Sequence, residues 1–104
     1  MKFTAKKDDL VRELGKIQGV SERRQTMMIL SNTLISAESG KVSFLATNME
    51  TGIQTNFDAD VIEKGKTTAN TRNLYEIVKR INSDIIEFDT DENNLKISGA
   101  RAEA

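Results

Sequence analysis

The sequence predicts an α+β domain built on a duplicated plan: strand, helix and three strands, then strand, helix and two strands. Two observations predict it. The segment "KFTAKKDDLVRELGKI" aligns without a gap on "KTTANTRNLYEIVKRI", Lys2 falling on Lys66. After each copy the apolar spacing changes from the helical period to strict alternation.

Under that alignment Lys2, Thr4, Ala5, Leu10 and Ile17 meet Lys66, Thr68, Ala69, Leu74 and Ile81, Leu14 meets Val78, and Lys16 meets Arg80. Each copy reads as a short strand, a polar cap (Asp8 or Asp9 in the first, Thr71 in the second) and about three turns of helix. At ~100° per residue, Leu10, Leu14 and Ile17 form one stripe and Leu74, Ile77, Val78 and Ile81 another, and these stripes are the predicted core. Arg12 and Lys16 leave the first helix on its other side, and Arg72, Glu76, Lys79 and Arg80 spread over the flank and back of the second. Tyr75, Phe44, Met27 and Met28 are read as packing residues.

Between the helices, "MILSNTLISA" and "KVSFLATN" read as strands joined through the turn "ESGK", and "TGIQTNFDADV" as one half-buried strand with Ile53, Thr55, Phe57, Ala59 and Val61 on one face. In the second copy "DIIEFDT" and "NLKIS" form two strands around "DENN". The first copy thus has three strands after its helix and the second only two, so by symmetry one closing strand is missing. A single domain over 1–104 is expected, its halves meeting at about residue 63.

Composition narrows the function. With 30% charged and 38% hydrophobic residues the chain suits an ordered globular domain. The apolar runs are far shorter than the ~20 residues of a membrane helix, the N-terminus lacks the apolar core of a secretion signal, and a cytoplasmic location is expected. There is no cysteine and no histidine, which removes thiolate catalysis, Ser-His and Cys-His pairs and the commonest metal ligands. We therefore expect no enzyme, no cofactor and no metal.

The letters "GKTT" at 65–68 imitate the end of a phosphate-binding loop. Such a loop needs a glycine five residues before its Gly-Lys pair, where Asp60 stands, and places its lysine in the first helical turn, whereas here "TTAN" intervenes. Gly65 is better read as the turn residue before a strand.

Net charge is −1, but it is unevenly spread. Residues 64–80 hold Lys64, Lys66, Arg72, Lys79 and Arg80 against Glu76 alone, and 84–92 hold Asp84, Glu87, Asp89, Asp91 and Glu92 with no cation. A surface divided in this way attracts a polyanion on one side and repels it elsewhere.

Several pieces in order along the whole chain resemble the N-terminal domain of the bacterial DNA sliding clamp, the beta subunit of DNA polymerase III. They are the opening "MKFT"; Arg24, Thr26, Ile29, Leu30, Ser31 and Asn32 in "RQTMMILSN"; Thr47, Asn48, Met49 and Glu50; Thr68, Arg72, Leu74 and Ile77; and Leu95, Ile97, Ser98 and Gly99. The resemblance implies the DNA-clamp fold, two strand–helix–strand–strand–strand units with both helices on one side of antiparallel sheets, and a non-enzymatic processivity role: a homodimeric ring of three-domain chains whose helices surround double-stranded DNA without reading its sequence. It implies that Arg24 points toward DNA, and helix position adds Arg72, Arg12, Lys16, Lys79 and Arg80 as candidate phosphate contacts. Polymerase and clamp loader would bind through domains absent from this chain, which would then be a fragment of a three-domain protein. Two family prolines are Gln25 and Met28 here, and "ARAEA" stands where a basic, aromatic-containing closing strand is usual. The alternative expectation is a single-domain protein-interaction module that uses an exposed sheet edge.

Overall fold

Alternating apolar residues make two hairpins, and the hairpins organise two sheets. The computed structural model describes residues 1–23, 32–47, 52–92 and 94–100. Along the chain it contains β1 (Lys2–Lys6), α1 (Lys7–Arg23), β2 (Asn32–Glu38), β3 (Lys41–Thr47), β4 (Gly52–Asp58), β5 (Asp60–Glu63), β6 (Gly65–Asn70), α2 (Thr71–Arg80), β7 (Ile85–Asp91) and β8 (Asn94–Ala100). β2 and β3 meet through Ser39 and Gly40, at φ 52° and 78°, the left-handed pair that a two-residue hairpin turn requires. Glu92, at φ 57°, occupies the corresponding corner between β7 and β8.

Both sheets are four-stranded and antiparallel, in the orders β5-β1-β7-β8 and β4-β3-β2-β6. The first strand of each repeat pairs with the hairpin of the other: β1 with β7, and β6 with β2. Neither half can therefore complete its sheet alone. The doubled plan and the two helices on one side agree with the sequence reading.

The segment read as one strand over "TGIQTNFDADV" is two. It breaks at Ala59, so that β4 closes one sheet beside β3 while β5 closes the other beside β1. Alternation continues through the bend because Ile53, Ala59 and Val61 all pack against the core, which conceals the change of sheet from a periodicity argument.

Inward side chains from both sheets meet the helix stripes. Phe3 stacks on Phe88 at 4.7 Å between centroids, and Phe44 tilts against Phe57 at 5.2 Å. Leu10, Leu14, Ile17, Leu74 and Val78 are buried as expected; each such side chain contributes about 1.5–3 kcal/mol. Ile77, expected in the core, is 43% exposed instead. The cap of α2 also differs from expectation: Asn70, not Thr71, is the N-cap, its side chain accepting from the Asn73 N–H at 2.9 Å. Thr71 is buried and shares a 2.8 Å hydrogen bond with Thr33 of β2. Gly65 begins β6 rather than forming a turn, and a Cβ there would stand 2.9 Å from the Met1 Cβ. Met1 is held by its ammonium, which donates to Thr90 Oγ1 at 2.9 Å and Glu63 Oε1 at 3.2 Å.

Two further polar side chains are buried besides Thr33 and Thr71. Thr55 on β4 is buried, and its hydroxyl finds no hydrogen-bond partner among the described residues. Glu13 on α1 is 5% exposed, and its carboxylate accepts from Arg12 Nε at 2.9 Å and from Lys16 Nζ at 3.2 and 3.3 Å. Burial pushes the Glu13 carboxyl up, but the hydrogen bonds and charges of Arg12 and Lys16 outweigh it and leave the group below its ordinary value.

Two outcomes follow. Thr55→Val, which keeps the shape and removes an unpaired hydroxyl, should raise stability by about 1 kcal/mol in chemical denaturation. Because the folded-state pKa of Glu13 is depressed, its stabilisation is present above the unfolded carboxylate value of ~4.3 and is lost as pH falls through the folded value. Glu13→Gln should therefore flatten the acid limb of a stability-against-pH curve below about pH 4 and leave its shape near pH 7 unchanged.

Candidate nucleic-acid interface

A surface for a phosphate backbone must be cationic, exposed and free of internal partners, and the two helices meet those conditions unequally. They pack side by side, with α1 also against β1, β3 and β4, and α2 against β6. Gly15 of α1 lets Tyr75 of α2 come close: a Cβ at residue 15 would lie 3.7 Å from the tyrosine oxygen. The surfaces turned away from the core then form one continuous face.

On α1 the positive charge is already engaged. Arg12 is 55% exposed but bridges Asp9 at 3.0 Å and Glu13 at 2.9 Å, and Lys16, 56% exposed, bonds Glu13. The two carboxylates raise the Arg12 pKa through hydrogen bonds, first from Glu13 and then from Asp9, so the guanidinium stays charged. Lys7 is absorbed by the fold: its ammonium donates to the carbonyls of Lys79 at 3.1 Å and Ile81 at 2.7 Å, closing the C-terminus of α2. From residue 7 to residue 17, Lys7, Arg12 and Lys16 are cancelled by Asp8, Asp9 and Glu13.

α2 is different. Arg72, Lys79 and Arg80 are exposed and face only Glu76 on the same helix, leaving two net positive charges, 3 − 1. Lys79 Nζ rests 4.8 Å from the centre of the Tyr75 ring, a cation–π contact that leaves its hydrogen-bond donors available. Arg72 and Arg80 make no ion pair among the described residues. Arg72 stands in the first turn and Arg80 in the last, so they span the length of the helix.

The carboxylates lie elsewhere. Glu87 and Asp89 alternate with buried Ile86 and Phe88 and so project from the outer face of their sheet, where Asp89 has Lys2 and Lys96 as cross-strand neighbours. Lys66, part of the basic run in the sequence, sits on β6, away from the helical face. The structure thus brings Arg12, Lys16, Arg72, Lys79 and Arg80 onto the two adjacent helices, while Arg24 falls outside the described residues. Sequence reasoning missed Glu13 as the counter-ion of α1 and Lys7 as the cap of α2. The first was detectable, since Asp9–Arg12 and Glu13–Lys16 are spaced i,i+3; the second depends on a tertiary contact.

The chain is similar to known proteins over nearly its whole length. The family model for the DNA polymerase III beta subunit, N-terminal domain, matches residues 1–103. The beta sliding clamp of Caulobacter vibrioides (strain NA1000 / CB15N) is 38% identical over 105 residues, covering 98% of this chain and 28% of that protein. That of Pseudomonas aeruginosa is 32% identical over 104 residues with the same coverage. Among solved structures, Caulobacter crescentus pol III beta superposes with a TM-score of 0.84 at 37% identity, and the Pseudomonas aeruginosa DNA polymerase III subunit beta with 0.83 at 31%, each over 98% of this chain and 28% of the other. The chain spans about 28% of the length of these relatives, and over that span it belongs to the family of DNA polymerase III beta subunit N-terminal domains, the beta sliding clamps.

Proposed function

We propose that residues 1–104 act as one clamp-type domain of a non-enzymatic processivity factor: part of a ring that encircles duplex DNA in the cytoplasm and tethers the replicative polymerase. The supporting observation is the pair of adjacent helices with exposed cations on α2, in a chain of the sliding-clamp family. A ring needs no base contacts. Arginines and lysines on mobile stems meet phosphates one at a time, exchange readily, and so favour DNA in the lumen without fixing its position. In this reading α2 supplies the attraction through Arg72, Lys79 and Arg80, α1 supplies a smaller share through Arg12 and Lys16, and Arg24 adds to it from the segment between α1 and β2. The homodimeric ring, the polymerase and the clamp loader belong to the longer protein of which this chain would be the first domain.

The isolated chain should bind duplex DNA no more tightly than ~10⁻⁴ to 10⁻⁶ M, with affinity falling steeply as salt rises. Replacing Arg72 and Arg80 together by alanine should reduce the slope of log affinity against log salt by about two, and Arg12→Ala should change it less because Arg12 is already paired. Glu13→Gln should strengthen binding by releasing Arg12 and Lys16. Fluorescence anisotropy over a salt series checks all three; sequence-specific binding indifferent to salt would contradict the proposal.

A further inference from the structure

The C-terminus of α2 is not closed by its own backbone. A helix that ends on a glycine in the left-handed region folds the next amides back onto its last carbonyls. Here Ile81 follows at φ −71° and ψ 122°, extended backbone, and its N–H returns to the Ile77 carbonyl at 3.2 Å. The later carbonyls therefore need a donor from elsewhere. Two candidates stand on the helix itself, for Lys79 and Arg80 lie in its last turn. Basic side chains at that place bond the last carbonyls and are drawn to the negative end of the helix dipole.

Among the described residues, neither side chain does so. Lys79 runs the other way, its ammonium 4.8 Å from the centre of the Tyr75 ring one turn back, and Arg80 is exposed. The place they would take is held by Lys7, the first residue of α1. Its ammonium donates to the carbonyls of Ile81 at 2.7 Å and Lys79 at 3.1 Å, and its backbone N–H donates to the Asp84 carbonyl at 2.8 Å. Residue 7 thus grips the chain on both sides of the helix end. A cation of the helix whose charges cancel satisfies the end of the helix whose charges do not.

We propose that Lys7 is a positioning residue for DNA binding: by occupying the last carbonyls of α2 it keeps the side chains of Lys79 and Arg80 extended toward phosphate instead of folded back on their own helix. The inference rests on the DNA-facing reading and deepens it, since Lys7 itself touches no phosphate. Without its ammonium, two carbonyls at the negative end of the helix stand within reach of both cations. A guanidinium or ammonium bound there is withdrawn from a polyanion as Arg12 is by Asp9 and Glu13. Arginine at this position would keep the charge and the donors, whereas methionine would keep the stem and remove both.

Fluorescence anisotropy with duplex DNA over a salt series tests this. Lys7→Met should reduce the slope of log affinity against log salt by about one, as if a phosphate contact on α2 had been removed, and Lys7→Arg should keep the original slope. In a chain already carrying Lys79→Ala and Arg80→Ala, Lys7→Met should change the slope no further. Lys96→Met, which removes the same charge from the outer face of a sheet, should leave it unchanged. On the unmutated chain, side-chain NMR during a DNA titration should shift the Lys79 ammonium and Arg80 guanidinium signals and leave the Lys7 ammonium in place, a measurement that decides even if Lys7→Met does not fold. An unchanged slope in folded Lys7→Met, a further loss in the triple variant, or a Lys7 signal that moves with DNA would overturn the proposal and leave the DNA-facing reading intact. An unmutated chain without salt-dependent binding would overturn that reading, and this inference with it.

Discussion

The exchange of first strands between the two repeats is the constraint on which the other features depend. Because β1 completes the sheet of the second hairpin and β6 that of the first, each helix begins where its strand leaves the opposite half. Both helices are therefore delivered to the same side and packed against each other, with their stripes over a shared core. The contacts that fasten the halves are of the same kind: Phe3 on Phe88, Thr33 with Thr71, and Lys7 on the last carbonyls of α2 each join a residue of one repeat to a residue of the other. Loss of the exchange would expose two sheet edges and the inner faces of both helices together, which makes unfolding of one half without the other unfavourable.

The same placement decides where charge can act. The two helices carry similar numbers of cations, yet α1 neutralises its own at i,i+3 distances and, among the described residues, α2 does not. For a polyanion, paired cations offer little, since phosphate must displace carboxylates already within hydrogen-bond distance; the arginines at both ends of α2, which make no ion pair among the described residues, carry no such penalty. Sheet carboxylates such as Glu87 and Asp89 point away from the core on the other side of their strands, so their repulsion is directed elsewhere. The asymmetry favours one helix of the pair.

Legibility from the sequence followed the range of the interaction involved. Helix stripes and strand alternation depend on neighbours within a few residues, and Leu10, Leu14, Ile17, Leu74 and Val78 are where the spacing put them. The repeat was visible because equivalent residues do equivalent work in both halves. What failed was whatever depended on a distant partner. Ala59 lies in an unbroken alternating pattern, yet the strand changes sheet there. Asn70 and Thr71 are both good caps, and the choice fell to Asn70 because Thr71 bonds to Thr33 on another strand. Gly65 was read as a turn because nothing in its neighbourhood announces the approach of Met1, sixty-four residues away. Of the candidate interface, the positions on the helices were legible, whereas the pairing that ranks α2 above α1 required coordinates for Glu13.

Ile77 carries that lesson one step further. Its helical position gave it a core assignment, and by spacing it belongs with Leu74 and Ile81 as Glu13 belongs with Leu10 and Ile17. Burial, however, is a property of what lies opposite a residue, not of the residue itself. In the first half α1 packs against β4, and a carboxylate is buried on that helix, with two cations bonded to it. In the second half no strand is opposite among the described residues, and an isoleucine stands half in water. A charged residue buried and an apolar one exposed at equivalent positions is the reverse of what hydrophobicity alone would choose. Glu13 is the exception, and α1 offsets its burial with Arg12 and Lys16, whose hydrogen bonds satisfy the carboxylate.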